Sequence, residues 1–263
     1  QMCIRDSPPH PRRLTPMPPS PHGPEPAQGF AVPSTGRTTL GAEHRAKLRA
    51  SALTDQQIDA LGWSTLHNGR LLIPYMRPDG SPETCHDGKP FSRERLSQAE
   101  IDADPKGGKY RSPKGEGCRL FHSPLAIRHL RYQDRLMDRF TALRITEGEA
   151  KTVAANLYDP HRITIGLGGV SSWRDRYDGQ AKDDESKPIA DWDDIPLEGR
   201  ETRLCFDSDI RKPQVAAELR KLSEFLLGRG AHVLIEVLPH GLDGARLGID
   251  DLIHRHGAAL FLQ

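Results

Sequence analysis

Residues 142–170 read ALRITEGEAKTVAANLYDPHRITIGLGGV. ALRIT (142–146) is a short apolar run suited to a strand, EGEAKTVAANLY is rich in helix formers, and RITIGLGGV (162–170) is a second apolar run that ends in a glycine turn. Strand, helix and strand in this order predict a mainly parallel sheet, because parallel neighbours need a crossover of about this length. The alternation continues downstream. TRLCFDSD (202–209) reads as a strand ending in acids, PQVAAELRKLSEFLLGRG (213–230) as a helix, HVLIEVLP (232–239) as a strand and IDDLIHRHG (249–257) as a short final helix. In the long helix Val215, Leu219, Leu222 and Leu226 share one face, and Gly228 or Gly230 can close the C-terminus. The stretch DRYDGQAKDDESKPIADWDD (175–194) reads as a polar insertion.

Upstream, AEHRAKLRAS (42–51) and TDQQIDALGW (54–63) predict two short helices, with Thr54 as cap and Gln57 three residues on in a capping-box position. RLLIPYM (70–76) predicts a strand, and Arg77-Pro78-Asp79-Gly80 the turn that ends it. A basic, glycine-rich segment follows, KGGKYRSPKGEGCRLFHSP (106–124). The first forty residues are crowded with proline and small polar side chains, which deny the backbone its donors and supply little apolar surface; this tail is expected to be disordered. Its opening QMCIRDS resembles translated adapter, and the chain stops in an apolar run, LFLQ, so the sequence is expected to be a piece of a longer one. The expected divisions are a tail over 1–40, a small α+β basic lobe over 41–138 and an α/β domain over 139–263.

Bulk properties narrow the function without choosing it. The 263 residues carry a formal net charge of +1, so only the distribution of charge can indicate a nucleic-acid partner. Cys3, Cys85, Cys118 and Cys205 form no CxxC pair, which fits a reducing, cytoplasmic setting and argues against structural zinc. No apolar run approaches the ~20 residues of a membrane span. No GxxxxGK[ST] motif is present, so this segment carries no P-loop motor.

The candidate chemistry is acidic and sits at predicted strand ends. Glu147 follows one strand, Asp207 and Asp209 end another, and Asp250 and Asp251 lie beyond a third. C-terminal strand edges of an open parallel sheet line up along one crevice, which can bring these acids together. Crowded carboxylates repel unless a cation neutralises them, and hard oxygen ligands suit Mg²⁺ or Mn²⁺. Asp250 and Asp251 also suit the first turn of a helix. In the basic segment, Lys109, Arg111, Lys114 and Arg119 offer phosphate contacts, and Tyr110 a face for base stacking.

TEGEAKTVAA (146–155), LCFDSD (204–209) and LGIDDLI (247–253) resemble the three motifs of the Toprim domain, shared by DnaG-type primases, topoisomerases and some nucleases. RLLIPYMRPDG (70–80) and KYRSPKGEGCRLFHSP (109–124) are similar to the N-terminal lobe of the DnaG catalytic core. The combination looks most like the uncharacterised primase-associated domain of plasmid and phage replication proteins. The resemblance implies a Rossmann-like Toprim fold, a mainly parallel sheet with flanking helices. It implies Glu147 as catalytic acid/base or metal ligand, Asp207 and Asp209 as Mg²⁺ or Mn²⁺ ligands, and Asp250 and Asp251 near a further metal. The implied activity is nucleotidyl transfer from nucleoside triphosphates on a single-stranded DNA template, alongside a replicative helicase in the same or a neighbouring chain. Two departures stand out: Lys151 occupies a position where primases usually carry an aspartate, and the acidic pair lacks the proline of a DPD arrangement. A Toprim nuclease and a non-catalytic DNA-binding module attached to a helicase remain as alternatives.

Overall fold

The computed structural model describes residues 39–129, 131–175, 186–242, 244–257 and 259. The expected disorder of the first forty residues therefore falls, apart from its last two, outside the described residues. From Thr39 onward the described residues belong to one compact unit.

The chain first builds a small lobe. Helices α1 (Ala42–Ala50) and α2 (Asp55–Ala60) fold where the sequence places them, and the Thr54–Gln57 capping box forms in both directions. Four short antiparallel strands follow: β1 (Ser64–Thr65), β2 (Leu71–Pro74), β3 (Ser92–Arg95) and, after helix α3 (Gln98–Ala103), β4 (Tyr110–Arg111), paired in the order β1-β2-β3-β4. Strand β2 alternates buried Leu71 and Ile73 with half-buried neighbours, as a sheet with one face on a core should. Strand β3, with sequence SRER, has no such alternation and is held by ladders on both sides.

Next come β5 (Phe121–His122), α4 (Pro124–His129) and α5 (Tyr132–Met137). The predicted alternation then appears: β6 (Leu143–Glu147), α6 (Glu149–Tyr158), β7 (Ile163–Leu167), a two-stranded ribbon β8 (Arg174–Asp175) with β9 (Lys187–Pro188), β10 (Glu201–Cys205), α7 (Pro213–Gly228), β11 (His232–Glu236) and α8 (Ile249–His256). The main sheet runs β11-β10-β6-β7-β5, parallel except for β5. It is thus an α/β fold with a mixed, mostly parallel sheet flanked by helices. Successive side chains of β10 and the residue after it enter different cores. Leu204 and Phe206 join a cluster with Leu222 and Leu226 of α7, whereas Cys205 joins one with Val153 of α6, Leu252 of α8 and Ile73 of the lobe. Strands β6 and β7 are the central, almost wholly buried pair, which is why they read as continuous apolar runs.

The expected polar insertion is corrected in its second half. Residues 176–185 lie outside the described set, but residues 189–197 line the core: Ala190–Asp194 form a 3₁₀ turn that buries Trp192 completely. The Trp192 indole donates to the Trp173 carbonyl at 2.8 Å and meets Phe225 of α7 edge-on. Acidic neighbours on the solvent side of a short turn disguise such an anchor in sequence. In α7, Leu219, Leu222 and Leu226 are buried as expected, while Val215 is only half-buried.

Candidate functional site

Carboxylates from three places in the chain, the ends of β6 and β10 and the start of α8, come together at one crevice. Glu147 closes β6, and Gly148 turns the chain into α6 with φ of 95°, a conformation that favours glycine. Asp207 and Asp209 lie just past β10. Ser208, between them, ties down the incoming loop: its N–H donates to the Leu247 carbonyl at 2.9 Å and its hydroxyl accepts from the Leu247 N–H at 3.0 Å. That clasp brings Gly248 and α8 beside Asp207. A Cβ on Gly248 would lie 2.8 Å from both Asp250 Oδ1 and the Lys151 Cε, and 3.0 Å from Asp207 Oδ1. These groups therefore converge on a space that only glycine leaves open.

The expected metal ligands do not assemble as a set of free oxygens. Asp207 is 3% exposed, and both its oxygens face cations: Lys151 Nζ at 2.5 Å from Oδ1 and Arg246 Nε at 3.3 Å from Oδ2. Asp209 Oδ2 is shared by Lys212 at 2.8 Å and Arg246 at 3.4 Å. Asp251 accepts from the Gly248 N–H at 3.0 Å and so caps α8. Asp250 accepts from the Ser51 hydroxyl at 2.7 Å through Oδ2, while its buried Oδ1 has no hydrogen-bond partner among the described residues. Among the described residues no three His, Cys, Asp or Glu side chains stand together as a metal group. An ammonium already inside such a cluster opposes a second cation. Unit charges 4 Å apart in a half-buried setting interact by roughly 4 kcal/mol, and a divalent ion doubles that. As arranged, these residues do not fit Mg²⁺ or Mn²⁺.

Burial and charge shift the same groups. Burial raises the Glu147 carboxyl, opposed by Lys151 and reinforced by Asp207. Burial alone would lower the Lys151 ammonium, but Asp207, Asp250 and Glu147 outweigh it and hold it above its ordinary value. Burial also raises Asp250. Glu147 makes no hydrogen bond or ion pair among the described residues, so its carboxylate is open to the crevice.

The crevice faces the lobe across a cavity of about 560 Å³. Its lobe side presents Lys47, Arg95 and Lys109, with Trp63, Leu71 and Tyr110 as apolar wall; the sheet side presents Glu147, Lys151, Arg246 and Asp250. Arg95 and Lys109 pair with no carboxylate among the described residues. The predicted basic segment divides. Lys109 and Tyr110 line this cavity, whereas Lys114 lines a separate hollow with Cys85 and Glu116. Exposed Arg111 folds back onto the carbonyls of Gly108 and Tyr110. Arg119 lies over the Phe91 ring and pairs with Glu116 at 3.1 Å, a structural role. Tyr110 sits under the Arg93 guanidinium, and burial pushes its hydroxyl up to about 12. Arg93 in turn donates to Glu149 at 2.6 Å, and Tyr75 donates to the same oxygen at 2.9 Å.

Sequence reading missed Lys47, Arg95 and Arg246 as parts of this cavity. Lys47 and Arg95 sit in elements with no motif, and only its nearness to LGIDDLI marks Arg246.

Comparison with known proteins gives the following likenesses. Residues 133–260 match a family model described as a domain of unknown function, DUF3854. No curated protein matches the chain. Among solved structures, the chain is similar to the DnaG catalytic core, at 15% identity and a TM-score of 0.49, covering 86% of this chain and 72% of that one. It is also similar to the RNA polymerase domain of Mycobacterium tuberculosis primase DnaG, at 17% identity and a TM-score of 0.44, covering 86% and 67%. A third is the DnaG primase catalytic domain bound to ssDNA, at 16% identity and a TM-score of 0.45, covering 84% and 58%.

Proposed function

We propose that this protein is a primase-like DNA replication protein whose lobe-to-sheet cavity holds the phosphates of single-stranded DNA or of a nucleoside triphosphate. The observation that carries the reading is the opposition of Lys109 and Arg95 on the lobe to Glu147 at the end of β6 and Asp250 in the first turn of α8. Among the described residues these two cations have no carboxylate partner, and phosphate is the anion that rewards such a placement beside a crevice. The order of the Toprim-like motifs, after a lobe similar to that of DnaG, supports the same reading.

In this reading Lys109 and Arg95 bind and orient the phosphate chain, and Trp63 and Tyr110 form the apolar wall beside it. Glu147, with its raised proton affinity and free carboxylate, accepts the proton of an attacking hydroxyl. Asp207, with both oxygens already facing Lys151 and Arg246, offers no open ligand to Mg²⁺ or Mn²⁺.

The pairing of Lys151 with Asp207 also favours the second reading, a DNA-binding module without catalysis that works beside a helicase. Fluorescence anisotropy with labelled single-stranded and duplex oligonucleotides, joined to a primer-extension assay with nucleoside triphosphates, tests both. Salt-sensitive single-strand binding with incorporation supports the primase reading. Binding without incorporation supports the module, and no binding overturns both.

A further inference from the structure

We infer that Lys151 and Arg246 stand in for a divalent ion at Asp207 and Asp209, so that the cavity binds phosphate without divalent metal. The metal half of this statement is independent of function; the phosphate half rests on the reading proposed above.

Both oxygens of nearly buried Asp207 are engaged by cations that belong to the chain, and Arg246 bridges Asp207 to Asp209. Mg²⁺ demands near-octahedral oxygen and keeps several waters. Here the space between Asp207 and Asp250 holds the stem of Lys151, and a methyl group at Gly248 would meet both carboxylates and that stem within 3.0 Å.

Lys151 is the third residue of α6, in the first turn, where the helix dipole disfavours a cation. Its side chain is also largely buried, at 19% exposure. Neither helix formation nor solvation accounts for a lysine there, whereas Asp207 does. The unpartnered Oδ1 of Asp250, a residue 7% exposed, adds a further carboxylate oxygen beside the lysine stem. Lys151 and Arg246 both line the cavity with Lys47, Arg95 and Lys109, so the charges that neutralise the aspartates also face an entering phosphate. Arg246, although paired with both aspartates, keeps 58% of its side chain exposed on the cavity side.

The test uses the full chain and two probes. Manganese alone is titrated and followed by the loss of its free paramagnetic-resonance signal, for the wild type, Lys151→Asp and Asp207→Asn. The expected result is no stoichiometric uptake by the wild type and a gained site in Lys151→Asp. Stoichiometric uptake by the wild type that disappears in Asp207→Asn overturns the inference. A labelled oligothymidylate is then titrated in EDTA and in Mg²⁺. Wild-type affinity should agree within about twofold between the two, and Lys151→Met should lose roughly tenfold in both, the worth of a charge-assisted contact, while Lys151→Arg retains binding. Binding that EDTA abolishes overturns the inference and leaves the proposed function standing. Absence of binding in both buffers overturns the proposed function and the phosphate half, and the manganese titration still decides the metal half. Circular dichroism of each variant separates unfolding from loss of a site.

Discussion

Arg93 of β3 and Glu149 of α6 form an ion pair at 2.6 Å that joins the lobe to the main sheet, and Glu149 is only 2% exposed. Removing one member of such a pair strands the other charge, at a cost of about 3–5 kcal/mol. Arg93→Ala should therefore lower the melting temperature by on the order of 10 °C for a chain of this size. The double variant Arg93→Met with Glu149→Met should recover most of the loss, because no charge is left behind. Calorimetric melting of the three proteins checks this.

The divided basic segment makes a sharper prediction about DNA. Lys109→Ala and Arg95→Ala should each weaken single-strand binding and reduce the salt slope by about 0.7. Arg119→Ala should leave that slope unchanged and lower stability instead, since its partners are Phe91, Glu83 and Glu116. Anisotropy over a salt series and melting curves on the same samples separate the two effects.

Gly248→Ala tests the convergence at the strand ends. Its methyl group would collide with Asp250, Lys151 and Asp207. The expected cost is about 1–3 kcal/mol of stability, the usual range for overfilling a packed site. Gly244→Ala lacks any neighbour to collide with but sits at φ of 75°, so it reports backbone strain alone. Urea denaturation compares them.

Acid should weaken the fold partly through His122. Burial lowers its imidazole from 6.5 to about 4, and its Nδ1 lies 2.9 Å from the Tyr132 hydroxyl. Between those values the unfolded chain binds a proton that the folded chain refuses. This contribution is thus present above pH 6.5 and is lost as pH falls toward 4, by up to about 3 kcal/mol. Stability measured from pH 7.5 to 4.5 should fall less steeply in His122→Gln than in the wild type; equal slopes would refute the assignment.

The two central strands were legible in sequence as apolar runs because they are buried on both faces. Leu143–Glu147 and Ile163–Leu167 read as apolar runs because helices cover them. Strand β3 was not legible, since SRER carries no period and depends on its neighbours. Trp192 hid among aspartates. The acids of the site were visible as Glu147, Asp207 and Asp250, but their partners were not. Lys151 and Asp207 stand 56 positions apart, and only the pairing of β6 with β10 makes them neighbours. Ser208 carried no signal beyond lying between two acids, although it fixes the loop that delivers Arg246 and Asp250.

Strand β5 lies before the acidic motifs in sequence yet forms one border of the main sheet, pairing Phe121 with Gly166 and His122 with Ile165. Phe121 packs its ring against Trp63 and Tyr75 of the lobe. A recombination crossover just after Met137 would exchange that border strand and its aromatic neighbours for foreign ones. Foreign segments joined at that point would have to match one another along the β5–β7 ladder and around the Phe121 ring.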